Sequence, residues 1–170
     1  MDDTEAEKAL TGIVVGVDGS PLSIEALRWA ARLEPTVGGP ITAAIVWQFP
    51  AAGVIGAYPS MEWSPEADAR EVLQQSLQEA YGDKLPAGLS TLVASGPAAH
   101  VLIENTRNAR LLIVGSRGLG GFVGLLLGSV SAACAEHADC PVLVLHTPQD
   151  SKAGPASVET ARATATTAPA

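Results

Sequence analysis

Short runs of Val, Ile, Leu and Ala recur along the chain, separated by segments of helical periodicity and clusters of turn-forming residues. The first run, Gly12–Val17 (GIVVGV), does not alternate with polar residues, which predicts a strand buried on both faces of a parallel sheet. Asp18-Gly19-Ser20-Pro21 follows. Ser20 has the hydroxyl of an N-cap, and Pro21 the fixed φ of a first helical residue. Leu22, Ala26, Trp29 and Leu33 then share one helical face, which places Trp29 in the core; Pro35 and the Gly38-Gly39-Pro40 cluster end the helix. Ile41–Trp47 reads as a second strand, and Gln48–Trp63, broken by Pro50, Gly53, Gly56 and Pro59, as an irregular segment. Ser64-Pro65-Glu66 repeats the cap, proline and acid signature. Ala69, Leu73, Leu77 and Ala80 give that helix its buried face, and Gly82 its stop. Leu89–Ala94 predicts a third strand, Gly96-Pro97 opens a short helix to about Thr106, and Leu111–Val114 is a fourth strand. After a glycine-rich stretch, Gly115–Gly128, Ser129 is the expected cap of a small-residue helix (SVSAACAEHA), and Pro141–His146 (PVLVLH) is the last strand.

Strands that alternate with helices predict an α/β fold, a parallel sheet covered by helices on both faces. In such sheets a ligand lies outside the carboxyl ends of the strands, near the point where the strand order reverses. Residues 10–147 are expected to form one domain. Residues 1–9 are an acidic, flexible lead-in. Residues 148–170 form an Ala/Thr-rich tail in which Val158 is the one large apolar side chain, too little to offset the entropy of ordering, and are expected to be disordered.

The charge balance narrows the partners. With 18 acidic and 10 basic residues the 170-residue chain carries a formal charge of −8, which disfavours nucleic acid, whose phosphates are bound by Lys and Arg. An aromatic content of 4% disfavours a base-stacking platform. MDDTEAEKAL has no basic region leading into an apolar one, and no apolar run reaches about 18 residues, so neither a secretory leader nor a membrane span is expected. Cys134 and Cys140 match no zinc or C-x-x-C spacing and read as small buried apolar residues in a reducing compartment, the cytoplasm. His100, His137 and His146 are scattered, and Glu62, Glu66 and Glu71 read as a solvated face. No catalytic and no metal-ligating residue is assigned.

The chemistry is concentrated in Gly115–Ser131 (GSRGLGGFVGLLLGSVS), which follows a strand and runs into a helix. Glycines let backbone N–H groups approach an anion, Ser129 and Ser131 bring hydroxyls, and the helix N-terminus adds unpaired N–H groups and partial positive charge. Phosphate suits that geometry. Neither G-x-x-x-x-G-K-[ST] nor a G-x-G-x-x-G after the first strand occurs, which disfavours a P-loop NTPase and a standard dinucleotide fold. The pattern that fits is G-x2-G-x9-G-[ST], filled by Gly115, Gly118, Gly128 and Ser129.

With GIVVGVDGS at the first strand, VGSRGLGG at the turn and CPVLVL at the last strand, Gly12–His146 resembles the universal stress protein family, in its ATP-binding branch. The resemblance implies a three-layer sandwich with a five-stranded parallel sheet, adenine nucleotide α-hydrolase-like, with ATP at the carboxyl ends of the strands. It implies that Asp18 contacts the ribose and adenine side and that the Val46 backbone reads the adenine edge. Gly115, Gly118, Gly128 and Ser129 would cradle phosphate, continued by Val130 and Ser131. Arg117 would neutralise phosphate charge, with Mg²⁺ as the default cation on the phosphates. The resemblance also implies a homodimer through the Pro141–His146 strand, which as an apolar edge demands covering. Arg110 stands where the family usually has an acid, which puts a helix-end contact in question.

Other readings stand beside these. Asp18 caps the turn before the first helix or contacts nucleotide; Arg117 is a surface residue or a phosphate ligand; Trp47 is core or flanks the adenine; Trp63 or Tyr58 folds over the ligand, or their segment is a dimer contact. Three functions compete. The reading adopted is a nucleotide-dependent stress-response regulator that binds ATP with little or no turnover. The alternatives are a slow ATPase or phosphotransferase, with Ser20, Ser129 or Ser131 as phosphate acceptor, and a dimeric interaction module that needs no nucleotide.

Overall fold

β1 (Ile13–Val17) sits at the centre of the sheet because its side chains are apolar on both faces. Ile13, Val15 and Val17 point into one core layer and Val14 into the other. The computed structural model describes residues 10–49, 63–119 and 126–146. The expectations for 1–9, for 148–170 and for most of Gln48–Trp63, Tyr58 included, lie outside the described residues.

From β1 the chain runs through α1 (Pro21–Val37), β2 (Ile41–Trp47), α2 (Pro65–Tyr81), β3 (Ser90–Ser95), α3 (Ala98–Asn105), β4 (Leu111–Gly115), α4 (Ser129–His137) and β5 (Val142–Leu145). The five strands form one parallel sheet in the order β3-β2-β1-β4-β5. α1 and α2 pack on one face through Ala26, Leu27, Ala30, Ala69 and Leu73. On the other face lie α3 and α4, through Leu102 and Cys134. This is the three-layer α/β sandwich expected. Right-handed crossovers explain the division: β1 to β2 to β3 steps one way across the sheet, β4 to β5 the other, so the two helix pairs must lie on opposite faces. The order reverses between β1 and β4, and their carboxyl ends open a crevice there.

The start signals form as the sequence indicates. Ser20 Oγ accepts the Ser23 N–H at 3.2 Å and Ser64 Oγ the Ala67 N–H at 3.3 Å, each with proline at the next position. Three expectations need correction. α1 continues through Pro35, an exposed residue in its last turn; the ring forgoes one hydrogen bond there, and the helix closes at Gly38, whose N–H meets the Glu34 carbonyl at 2.8 Å. Its buried face is Ile24, Ala26, Leu27 and Ala30, so of the expected stripe Ala26 is in the core and Leu33 packs against it, but Trp29 is not buried. α1 packs on the sheet beside α2, and small Ala26 and Ala30 allow close approach on that side. Trp29 is left 38% exposed, with the Arg32 guanidinium 5.3 Å from its ring centroid. Finally, Gly128 is the N-cap of α4 and Ser129 its first helical residue.

The amino end of the sheet is tightly closed. Gly12 (φ 77°) and Gly39 (φ 88°) cross so closely that a Cβ on either would strike the other segment's backbone. The Arg110 N–H donates to the Gly12 carbonyl and its guanidinium to the Val37 carbonyl, both at 2.8 Å. The arginine therefore supplies a helix-end contact of its own, a cation at the carboxyl end of α1. Tyr81 joins α2 to α1 by donating its hydroxyl to the Leu27 carbonyl at 2.6 Å, and burial pushes its phenol up to about 12.

Two consequences are open to measurement. Leu27 is fully buried, so Leu27→Ala is expected to cost about 2–5 kcal/mol in urea unfolding. Trp29→Ala, two positions on, should cost less despite the larger side chain; the reverse ranking would contradict the packing described. Cys134 and Cys140 are free and buried. Burial, with a smaller contribution from Cys140, pushes the Cys134 thiol up to about 11, and burial also raises that of Cys140. Both therefore stay protonated at pH 8, and an aromatic disulfide reagent should titrate them slowly in the native protein and rapidly in denaturant.

Candidate functional site

β1 and β4 deliver the two walls of the crevice. Val17 is the last residue of β1 and is followed by Asp18, while Gly115 is the last of β4 and leads into the glycine turn. Between them lies a cavity of about 600 Å³, within the range of small-molecule sites. All nine residues singled out from the sequence line it: Asp18, Val46, Gly115, Arg117, Gly118, Gly128, Ser129, Val130 and Ser131.

The N-terminus of α4 lines the cavity. The Gly128 N–H is taken by the Ser116 carbonyl at 2.7 Å, and the first intrahelical bond runs from the Ala132 N–H to the Gly128 carbonyl. The N–H groups of Ser129, Val130 and Ser131 thus have no acceptor within the helix, and no side chain caps it. Three donors and the positive end of the helix dipole meet on one wall, with Arg117 beside them. Ser131 differs from its expected role in one respect. Its hydroxyl is buried and donates to the Ser116 carbonyl at 2.8 Å, so it pins the helix to the end of β4, and what it offers a ligand is its N–H.

At the carboxyl end of β2, the Trp47 carbonyl accepts from the Gly96 N–H on the β3 side. Alternation along the strand turns the Val46 carbonyl to the β1 side, beyond Val17, where β1 has stopped. Asp18 combines the two readings given to it. Its Oδ1 accepts the Ser20 N–H at 3.0 Å, capping the turn, and its Oδ2 accepts the Leu119 N–H at 3.1 Å, reaching across to the glycine turn.

The glycines divide by what a side chain would meet. A Cβ at Gly115 would come within 2.8 Å of the Leu22 Cβ, and one at Gly118 would run into the Asp18 carboxylate. Both are small because protein packs against them. A Cβ at Gly128 would come no nearer than 3.5 Å to any atom of the described residues, so nothing among them demands glycine there.

The apolar floor went unremarked in the sequence. Gly16, Ala44, Ala98, Leu102 and Val114 line it. A lone glycine inside a β-branched strand was the available signal: a Cβ on Gly16 would lie 3.1 Å from Val114 Cγ1 and 3.3 Å from Leu102 Cδ1. Trp47 packs on the core and meets Phe49 edge to face at 5.3 Å. Trp63 Nε1 donates to Asp68 Oδ2 at 2.8 Å, which holds the ring on the first turn of α2. Glu66 pairs with Arg70, and Glu71 accepts from Gln75, on the exposed face of α2. Among the described residues no group of three or more His, Cys, Asp or Glu is placed to hold a metal ion, and no helix is long and apolar enough to cross a membrane.

Comparison with known proteins follows the same lines. The universal stress protein family model matches residues 11–146. A universal stress protein of Mycolicibacterium smegmatis is 32% identical over 140 residues, covering 79% of this chain and 48% of its own length; the chain spans about half the length of the curated relatives it matches. A universal stress protein solved in complex with cAMP is 24% identical, with a TM-score of 0.59 over 82% of this chain and 99% of that one. The universal stress protein from Archaeoglobus fulgidus, solved in complex with dAMP, is 20% identical, with a TM-score of 0.54 over 80% and 98%. The two solved structures share the fold. The family match spans every strand and helix described above, and the chain belongs to the universal stress protein family.

Proposed function

We propose that this protein binds ATP in the β1–β4 crevice and acts in the cytoplasm as a nucleotide-dependent stress-response regulator with little or no turnover. One observation carries the reading: a single cavity is lined by two sets of groups, the three N–H groups that open α4 with Arg117, and the Val46 backbone with the Asp18 carboxylate. The first set suits a phosphate chain, the second an adenine amino group and a ribose hydroxyl. Neighbours of the same fold described with cAMP and dAMP support an adenine nucleotide.

Gly115–Ser131 carries a single charged side chain, Arg117. Mg²⁺ would neutralise part of a triphosphate's charge, and the donor set fits it best on phosphate and water oxygens, because Asp18 is the one carboxylate among the described cavity residues. The lining favours binding over turnover, since it offers no second carboxylate and no histidine to work with Asp18 among the described cavity residues.

Calorimetric titration of the purified full chain is expected to give saturable ATP binding in the micromolar range; no saturation at millimolar ATP overturns the reading. Gly128→Leu separates binding from folding. Its φ of −74° suits any residue and a Cβ there makes only ordinary van der Waals contact with the described residues, so stability should fall by only about 1 kcal/mol while ATP affinity drops about tenfold or more. Gly118→Leu should lower both, because its side chain displaces Asp18.

A homodimer through β5 accompanies this function. β5 is an edge strand, and Pro141 and Leu145 give their carbonyls to β4, so alternation turns the Val142 and Val144 N–H groups to the open edge. Val144→Pro removes an outward donor and spares the β4 ladder. Sedimentation is expected to show a dimer for the parent chain and a monomer with unchanged helical circular dichroism for the variant; a monomeric parent refutes the pairing.

A further inference from the structure

The Asp18 carboxylate joins segments 101 residues apart in the chain, with Oδ2 on the Leu119 N–H and Oδ1 on the Ser20 N–H. The turn it stands on is itself braced. Ser20 Oγ accepts the Ser23 N–H, Ser23 Oγ donates to the Ser20 carbonyl at 2.9 Å, and the Asp18 N–H reaches Ser23 Oγ at 3.4 Å. Gly118 completes the arrangement: its missing Cβ leaves room for the carboxylate to reach the next residue's amide. A carboxylate oxygen has two lone pairs, so Oδ2 can keep this bond and still accept a ligand hydroxyl.

We propose that Asp18 is a positioning residue as well as a ligand contact: Oδ2 holds the Gly118–Leu119 backbone against β1 at the separation from α4 that a phosphate chain needs, so that capture of the sugar and ordering of the phosphate turn are coupled. The phosphate part rests on the nucleotide reading above. Its physical signature is a sign. A carboxylate on the cavity wall repels an anion, so removing it should tighten binding of a sugar-free polyphosphate if charge alone matters. If the carboxylate also holds the turn, removing it should weaken that binding.

The test uses the full chain and three variants: Asp18→Ala, Asp18→Asn and Gly118→Ala. Inorganic tripolyphosphate is the ligand probe. Asp18→Ala is expected to weaken its binding about tenfold, and Asp18→Asn by less, since the amide oxygen can still accept one N–H. Unchanged or tighter binding in Asp18→Ala overturns the positioning role toward phosphate. Two readouts need no ligand. Amide exchange at Leu119 should accelerate about tenfold or more in Asp18→Ala while that of β1 and β4 stays as in the parent. Gly118→Ala should lower the urea midpoint in the parent but hardly at all in the Asp18→Ala background, because the carboxylate it collides with is gone. Unaltered Leu119 exchange, or strictly additive costs, overturns the latch itself. A parent chain that binds neither ATP nor tripolyphosphate removes the nucleotide reading, and exchange and the mutant cycle still decide whether Asp18 holds the turn.

Discussion

The handedness of the crossover connections determines where this fold has a hollow. α1 and α2 must lie on one face because their connections step in one direction across the sheet; α3 and α4 must lie on the other because theirs return. β1 and β4 are neighbours whose continuing chains part company, one to each face. The gap between them cannot be filled by a helix from either side, and the residues just past Val17 and Gly115 become its walls. The apolar floor, the exposed start of α4 and the link from Asp18 to Leu119 all follow from that divergence.

Much of the fold was legible because the signals are local. Unbroken β-branched runs mark doubly buried strands, and Ser20-Pro21 and Ser64-Pro65 mark helix starts through a hydrogen bond that spans three residues. Such information does not depend on the rest of the molecule. The buried arc of α1 does depend on it. Two spacings of apolar residues coexist on that helix, and the choice of Leu27 over Trp29 was made by the sheet and α2, which need small neighbours at 26 and 30. Pro35 was similarly ambiguous, since a proline in a final exposed turn sacrifices little.

The candidate site divides the same way. Its residues could be named from a glycine spacing and a strand-end Asp, and the fold brings all nine to one cavity. What each glycine is for could not be read from spacing. Gly115 is answered by Leu22, Gly118 by Asp18 and Gly16 by Val114 and Leu102, contacts between segments distant in the chain. Nor could the sequence tell that the Ser131 hydroxyl would turn inward to Ser116, a choice made by the short approach of α4 to the end of β4. Arg110 is the opposite case: an unexpected residue type that meets the Val37 carbonyl with its own chemistry.

The crossing of Gly12 and Gly39, fastened by Arg110, gives the two ends of the sheet different freedoms. Beneath the strands, the Gly12 backbone touches both Gly39 and Arg110 with no room for a Cβ on either glycine, so any lengthening there would pry the layers apart. Above them run the two longest connections between the elements, from β2 to α2 and from β4 to α4. Novelty in what the protein grips therefore has one rim on which to accumulate, and a grafted peptide or reporter would be tolerated there long before it was tolerated at the base.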